Sequence, residues 1–384
     1  MSGIRVEIVA SIDAIEASRW NSHCDDYPFG RHEFLLALEQ SGSVGENSGW
    51  QAAHIIVYRD TELIAVMPNY LKQHSWGEYV FDWSWADAYQ RLGKNYYPKL
   101  IAAIPFTPAA GPRLCSKIAL SNSDCNTIFS AVKHYCQQHG ISGWHILFPE
   151  QKEAEPWATQ GLALRTGMQY HWYNDGYNSY DDFLNRCTSR KRKTLRKERQ
   201  QIQQSGLRFQ QLDGNDITEQ VWDQFYYFYQ TTYAKRSGHG GYLKRQFFSQ
   251  LSASMPNNLV MVIALHNEQA IAGALSFRSD DTLYGRYWGC AQEIDGLHFE
   301  TCYYQGLDYC IANGLKKFDA GAQGEHKIPR GFEPTPTYSC HWLNDEQLHP
   351  AVEDFIRRET PLIHEELARL EQKLPFKQKI NESG

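Results

Sequence analysis

Near the C-terminal end, the twelve residues from Asp319 to Arg330 read "DAGAQGEHKIPR" and carry Asp319, Glu325, His326, Lys327 and Arg330. Acid, base and imidazole at this density suit acyl transfer to an amine, which needs a group to take the amine's proton and cations to hold an anionic substrate. Asp319 closes an apolar strand, "KKFDAGA", and a strand end of an α/β sheet is where ligands tend to sit. Gly321 and Gly324 let backbone approach a ligand with no Cβ in the way. Glu325 or His326 is then a candidate base, and Lys327 and Arg330 are candidate phosphate or carboxylate ligands. The plainer reading is a loop whose Asp319 caps a turn and whose charges pair with one another.

Two further stretches could do chemistry. "EYVFDWSWADAYQRLGKNYYPK" reads as a strand that places Phe81, Trp83 and Trp85 on one face and Asp82 and Ser84 on the other, with a helix beginning near Asp87. Trp83 and Trp85 with Asp82, Asp87, Tyr97 and Lys99 would wall an aromatic cleft for an amine or peptide substrate. The alternative is a Trp-rich core with Asp87 as a helix-terminal anion. From Arg186 to Arg199 there are eight Lys or Arg and one Glu. This basic helix, about 186–205, has like charges at i,i+4, which disfavour it unless water or a polyanion faces them. Leu184, Leu195 and Ile202 supply a narrow seam, leaving Arg190, Lys191, Lys193, Arg196 and Lys197 to face solvent or donor phosphates.

These stretches sit in an ordinary globular composition. The chain has 384 residues, 42% of them hydrophobic, 21% charged and 14% aromatic, enough for two domains with substantial cores. The net charge of −6 excludes general polyanion binding, so any phosphate contact must come from a local patch. The nine Cys show no CxxC and no regular spacing, which points to reduced, mostly buried thiols and to no metal site. There is no G-x-S-x-G, H-E-x-x-H or Walker motif. Neither a signal peptide nor a membrane span is read, and the expected compartment is the cytoplasm.

Hydrophobic periodicity sets out the frame. "IRVEIV" is a strand, followed by two short helices. "HIIVYRDTELIAVM" is a hairpin, "DCNTIFSAVKHYCQQHG" an amphipathic helix, and "GWHILF" and "TGMQYHWYN" are strands. Helices then resume, followed by three antiparallel strands over "LVMVIALHNEQAIAGALSFRSDDTLYGRYWG", the helix "FETCYYQGLDYCIANG", the strand ending at Asp319, the strand "PTYSCHWL" and a C-terminal helix over 350–371. The two halves share one grammar, which implies a duplicated α/β unit with domains 1–175 and 176–384.

The order of the second half resembles the GNAT acyltransferase fold, and two such units in tandem are how FemAB-like proteins are built. The strings "GEYVFDWSWADAY", "YYPKL", "PFTPAAGPRL" and "DAGAQGEHKIPRGFEP" are similar to the bacterial FemAB-like family of predicted N-acyltransferases of the peptidoglycan biosynthesis/recognition type, over the whole chain. The resemblance implies an α/β (α+β) fold of tandem GNAT-like acyl-CoA N-acyltransferase domains, with mixed, mostly antiparallel sheets flanked by helices. It implies an acyl-CoA or aminoacyl-tRNA donor, an amine acceptor on a small molecule, peptide or cell-wall precursor, and no metal. Asp319, Glu325 and His326 would surround the acceptor amine. "RYWGCA", from Arg286 to Ala291, matches the letters of a GNAT pyrophosphate loop, making Arg286 a donor ligand, although it falls inside a strand. Pro329 stands where the Fem pattern has lysine, so no role of that lysine carries over, and Arg330 or Lys327 is the candidate substitute. Two other readings stay open: a ligand-recognition protein that has lost the chemistry, and a tRNA- or phosphate-binding protein acting through the basic helix.

Overall fold

The computed structural model describes residues 3–322 and 324–377. Packing divides the chain into two compact units. The first comprises 1–168, 242–251 and 336–365, and the second 169–241, 252–335 and 366–384.

In the first unit, the strands Ile4–Val9, His54–Arg59, Glu62–Met67 and Cys115–Ser116 form an antiparallel sheet in that spatial order. The hairpin turns at Asp60, whose φ of +55° is the left-handed conformation a tight turn demands. A second group holds Lys99–Ala102 parallel to Gly143–Leu147. Parallel strands need a crossover, and it contains the helix Asn122–Gln138. Ser121 and Asp124 close a capping box at that helix's start. The helix buries Ile128, Phe129, Val132 and Cys136 against Ile55, Val57, Trp144 and Trp157.

In the second unit, Leu207–Asp213, Leu259–His266, Gln269–Arg278 and Thr282–Cys290 form an antiparallel meander. Lys317–Asp319 then pairs parallel to Thr282–Cys290, and residues 171–173 pair antiparallel to Lys317–Asp319. The helix Glu219–Ser237 buries Trp222, Phe225, Phe228 and Tyr229. It approaches the meander so closely at Gly289 that a Cβ there would lie 2.1 Å from the Phe228 carbonyl carbon. Gly289→Ala is therefore expected to destabilise the fold by about 1–3 kcal/mol, read as a lowered Tm, because the obstacle is backbone and not a movable side chain.

Several sequence expectations change. "EYVFDWSW" is not a strand: residues 78–82 are irregular and Trp83–Arg91 is a helix. The helical run expected from Tyr180 onward is two helices, Tyr180–Arg186 and Ser189–Gln203, parted by extended backbone at Cys187 and Thr188. A helix Gln151–Thr159 with Pro156 inside it stands where none was expected. All nine cysteines are free thiols, and all but Cys302 are fully buried. No helix among the described residues is long and apolar enough to cross a membrane.

Candidate functional site

The site forms in the second unit where two parallel strands part. Their ladder ends at Tyr284↔Asp319, while the longer strand continues to Cys290. On its other edge that strand carries a bulge: Leu275 pairs with Tyr287 and Ser276 with Gly285, leaving Arg286 as the extra residue. Bulges re-aim side chains. Here the Arg286 guanidinium turns to Asp319 and donates to both carboxylate oxygens, at 3.2 Å and 2.6 Å. The Gly321 N–H adds a bond of 3.0 Å to the same carboxylate, and His171 Nε2 lies 3.8 Å away. Both members of the pair are almost wholly shielded from water. Burial alone would raise the Asp319 pKa, but Arg286, aided by His171, holds the carboxyl well below the usual carboxylate range. His171 is pushed down to about 4, chiefly by burial, and is neutral at physiological pH.

After Asp319 the chain turns at Gly321 and Gly324 into a short 3-10 helix, Glu325–Arg330. Lys327 points inward and donates to the Gly321 carbonyl at 2.6 Å, which closes the loop. Burial brings its ammonium down to about 8, partly offset by Asp319. His326 packs its ring beside Phe299, and its Nε2 lies 2.8 Å from the Tyr303 hydroxyl. Burial, then Lys327 and Arg330, lower the His326 pKa below its ordinary value, so a neutral imidazole is present at pH 7. A Cβ at Gly324 would meet that ring at 2.2 Å, and φ there is +115°, so glycine is required to seat His326.

The facing helix supplies the second wall. It begins at Leu297, passes through a π turn at Glu300–Tyr304 and continues as Gln305–Ala312. π turns recur at functional sites because they re-register the side chains that follow. Tyr303 faces His326, while Tyr304 donates to Glu198 at 2.5 Å. His298 stacks edge-on against Trp288 and Tyr303, and burial lowers it to about 4.

The remaining expected residues fall as follows. Glu325 is exposed, 3.4 Å from Lys373 Nζ. Arg330 donates to Glu198 at 2.9 Å and to the His326 carbonyl at 2.5 Å, and its guanidinium lies 3.5 Å over the Phe299 ring. The basic helix thus docks through its one acid. Arg199 adds bonds to Glu300 and Asp308, at 2.8 Å and 2.6 Å. Leu195 and Ile202 form its buried seam. Arg196 pairs with Asp181 at the surface. Arg190, Lys193 and Lys197 are exposed, Lys191 is half-buried, and none of these four forms an ion pair among the described residues. The structure therefore gathers Asp319, His326, Lys327, Arg330 and Arg286 into one place. Tyr303, His298, His171 and Glu198 join them without having been read from sequence. Only the tyrosine pair in "FETCYYQ" was a visible hint.

Asp82, Tyr97 and Lys99 cluster separately, in the first unit. Lys99 Nζ is buried between Asp82 and Glu78, and Tyr97 reaches the cluster through Ser75. Trp83 and Trp85 do not share a face, because a helix turns them apart. Trp83 is exposed beside Trp76, while Trp85 is buried edge-on against His341. Asp87 is exposed on the same helix. Among the described residues no group of His, Cys, Asp or Glu is arranged to hold a metal ion.

No curated protein matches the chain in sequence. In fold it is similar to FemX, at 12% identity, 88% of this chain and 98% of that one covered, and a TM-score of 0.54. It is also similar to L-PGS from Bacillus licheniformis, at 10% identity, 87% and 97% covered, and a TM-score of 0.50. The expected α/β class, with mixed, mostly antiparallel sheets flanked by helices, is the one observed. The sequence profile of the FemAB-like family, described as peptidoglycan biosynthesis/recognition, matches residues 11–378. The chain belongs to the FemAB-like family.

Proposed function

We propose that the protein is a GNAT-type N-acyltransferase that moves an acyl or aminoacyl group from acyl-CoA or aminoacyl-tRNA to the amine of a peptide or cell-wall precursor. The observation that carries this reading is the neutral His326, hydrogen-bonded to Tyr303, in the loop that follows the parting strands. The amine nitrogen attacks the donor carbonyl and forms a C–N bond, and the thioester C–S or ester C–O bond breaks. The nitrogen's proton passes to His326, directly or through the Tyr303 hydroxyl, and returns to the leaving group. Asp319 is assigned to positioning, since its carboxyl is held ionised and already spent on Arg286. Glu325, exposed beside Lys373, is a weaker candidate base. Lys327 and Arg330 supply positive potential to an anionic substrate group, and the cytoplasm is the compartment that holds both donors.

The exposed cations Arg190, Lys193 and Lys197, with Lys191, are assigned to donor phosphates. Replacing Arg190, Lys193 and Lys197 by Gln is expected to weaken binding of a charged tRNA and to flatten its log–log salt dependence by about one unit for each phosphate no longer neutralised. An unchanged slope removes that assignment.

The reading is tested by incubating the protein with an amine acceptor and, separately, acetyl-CoA or aminoacyl-tRNA, and weighing the acceptor by mass spectrometry. A gain of the acyl mass supports transfer. Donor binding without that gain supports recognition without chemistry, a reading favoured by the engagement of Arg286 with Asp319 in place of a pyrophosphate. Neither binding nor turnover overturns both.

A further inference from the structure

The first unit holds a second polar cluster that the transfer reading does not use. Between the strand Tyr70–Lys72 and the helix Trp83–Arg91, the loop turns Ser75, Glu78 and Asp82 inward onto Lys99. Lys99 Nζ donates to Ser75 Oγ and Glu78 Oε2, both at 2.8 Å, and to Asp82 Oδ2. Those bonds use all the donors an ammonium has. Tyr96 donates its one proton to Asp82 Oδ2 at 2.6 Å. Behind it, His145 Nε2 lies 3.4 Å from the Tyr96 oxygen, the two Nδ1 atoms of His145 and His341 are 2.9 Å apart, and His341 Nε2 is 2.8 Å from Ser339 Oγ.

Proton counting fixes the direction of this chain. Tyr96 has no second hydrogen, so His145 Nε2–H must donate to it. His145 Nδ1 then accepts from His341 Nδ1–H, and His341 Nε2 accepts from Ser339. Both rings are neutral, as burial requires: it brings His145 down to about 3 and holds His341 well below the ordinary imidazole value. Every donor in the line points toward Asp82.

All of this serves one oxygen of each carboxylate. Asp82 Oδ1 and Glu78 Oε1 are buried and have no donor among the described residues. Both carboxyl groups bond the same nitrogen, so the two bare oxygens belong to adjacent groups. A buried acceptor left without a donor costs about 1–3 kcal/mol, a cost that a proton on Glu78 or a donor from outside the network relieves. The same loop and the start of its helix carry exposed aromatics: Trp76 and Trp83 lie 5.3 Å apart, 59% and 40% exposed, and Phe81 is 57% exposed.

We propose that Glu78 and Asp82, held on Lys99, bind the primary ammonium group of an amine-bearing ligand whose stem lies against Trp76 and Trp83. An ammonium supplies the missing donors as charge-assisted bonds, and indole faces attract cations. The charges agree. Glu78 and Asp82 oppose Lys99, while Lys72, over the Trp50 ring at 3.9 Å, is only partly charged at pH 7 because burial lowers it to about 7. Burial also raises Glu78 to about 7. A bound ammonium favours ionised Glu78 and neutral Lys72, so binding near pH 7 releases protons and tightens as pH rises through 7. The other titratable groups facing Glu78 are Asp82, Lys99, Tyr96 and Tyr97.

The test is a calorimetric titration of the full chain at pH 7, with Nα-acetyl-lysine amide against Nα-acetyl-norleucine amide, in two buffers of different ionisation enthalpy. The lysine probe is expected to bind with proton release and about tenfold or more tighter than its uncharged counterpart. Glu78→Gln, which keeps an acceptor for Lys99, is expected to lose about tenfold, and Trp83→Ala, which leaves the buried network intact, about threefold or more. Equal affinity of the two probes, no binding, or a folded Glu78→Gln protein with unchanged affinity overturns the proposal. If Glu78→Gln does not fold, Trp83→Ala and the probe pair decide. No acyl donor is present in the titration, so its outcome is independent of whether the protein transfers acyl groups.

Discussion

Replacing His326 with Gln is expected to slow acyl transfer about 10²–10⁴-fold, the usual contribution of a positioned general base. The stability effect should be small, because His326 is exposed and its ring packs only beside Phe299 and Tyr303. Gln keeps one hydrogen bond to the Tyr303 hydroxyl but cannot take a proton at neutral pH. Tyr303→Phe separates the two routes for the proton. If the hydroxyl relays it, this change costs nearly as much as losing the imidazole; if the amine meets His326 directly, it costs far less. Asp319→Asn and Glu325→Gln are expected to differ from each other. Glu325, at the surface, should be nearly silent in both rate and stability.

Asp319→Ala is expected to destabilise the protein by about 3–5 kcal/mol, because it strands the Arg286 guanidinium in the interior without its counter-charge. The double change Arg286→Met with Asp319→Leu should recover much of that loss, since removing both charges also removes their desolvation cost. Urea or thermal unfolding of the two single variants and the double variant measures the coupling. Singles within about 1 kcal/mol of wild type would show the pair to be unimportant to the fold. The sign with pH follows from Arg286. The folded Asp319 carboxyl lies below its unfolded value of about 3.9. Its contribution is therefore complete above that value and is lost as pH falls through the depressed folded value. Between pH 5 and 8 it should be constant.

The meander, the strand ending at Asp319 and the charged loop were legible because each is local: alternating apolar runs bounded by turn residues, then glycines. "EYVFDWSW" misled because an alternating aromatic run is short enough to serve either period. Trp85 and Tyr89, four apart and both buried, show the helical one. Leu184, Leu195 and Ile202 were rightly read as buried, but the break at Cys187–Thr188 has no Gly or Pro to announce it. The pairing of Arg286 with Asp319 depends on a one-residue bulge, and that of Tyr303 with His326 on a π turn. Both are shifts of register that side-chain periodicity does not encode. Glu198, the one acid of its helix, finds its partners Arg330 and Tyr304 more than a hundred residues away, beyond the reach of local pattern.

The central claim, that the neutral His326 imidazole takes the acceptor's proton, is tested most directly by the pH dependence of kcat/KM for wild type and His326→Gln. The acceptor amine must itself be neutral, so both proteins should show log kcat/KM rising with a slope of about one below the amine's own pKa. In wild type the slope should steepen to about two below a value under 6.5, where His326 protonates. In His326→Gln it should stay at one, on a line about 10²–10⁴-fold lower. A His326→Gln enzyme with wild-type rates, or one that keeps the steep acid limb, would contradict the account.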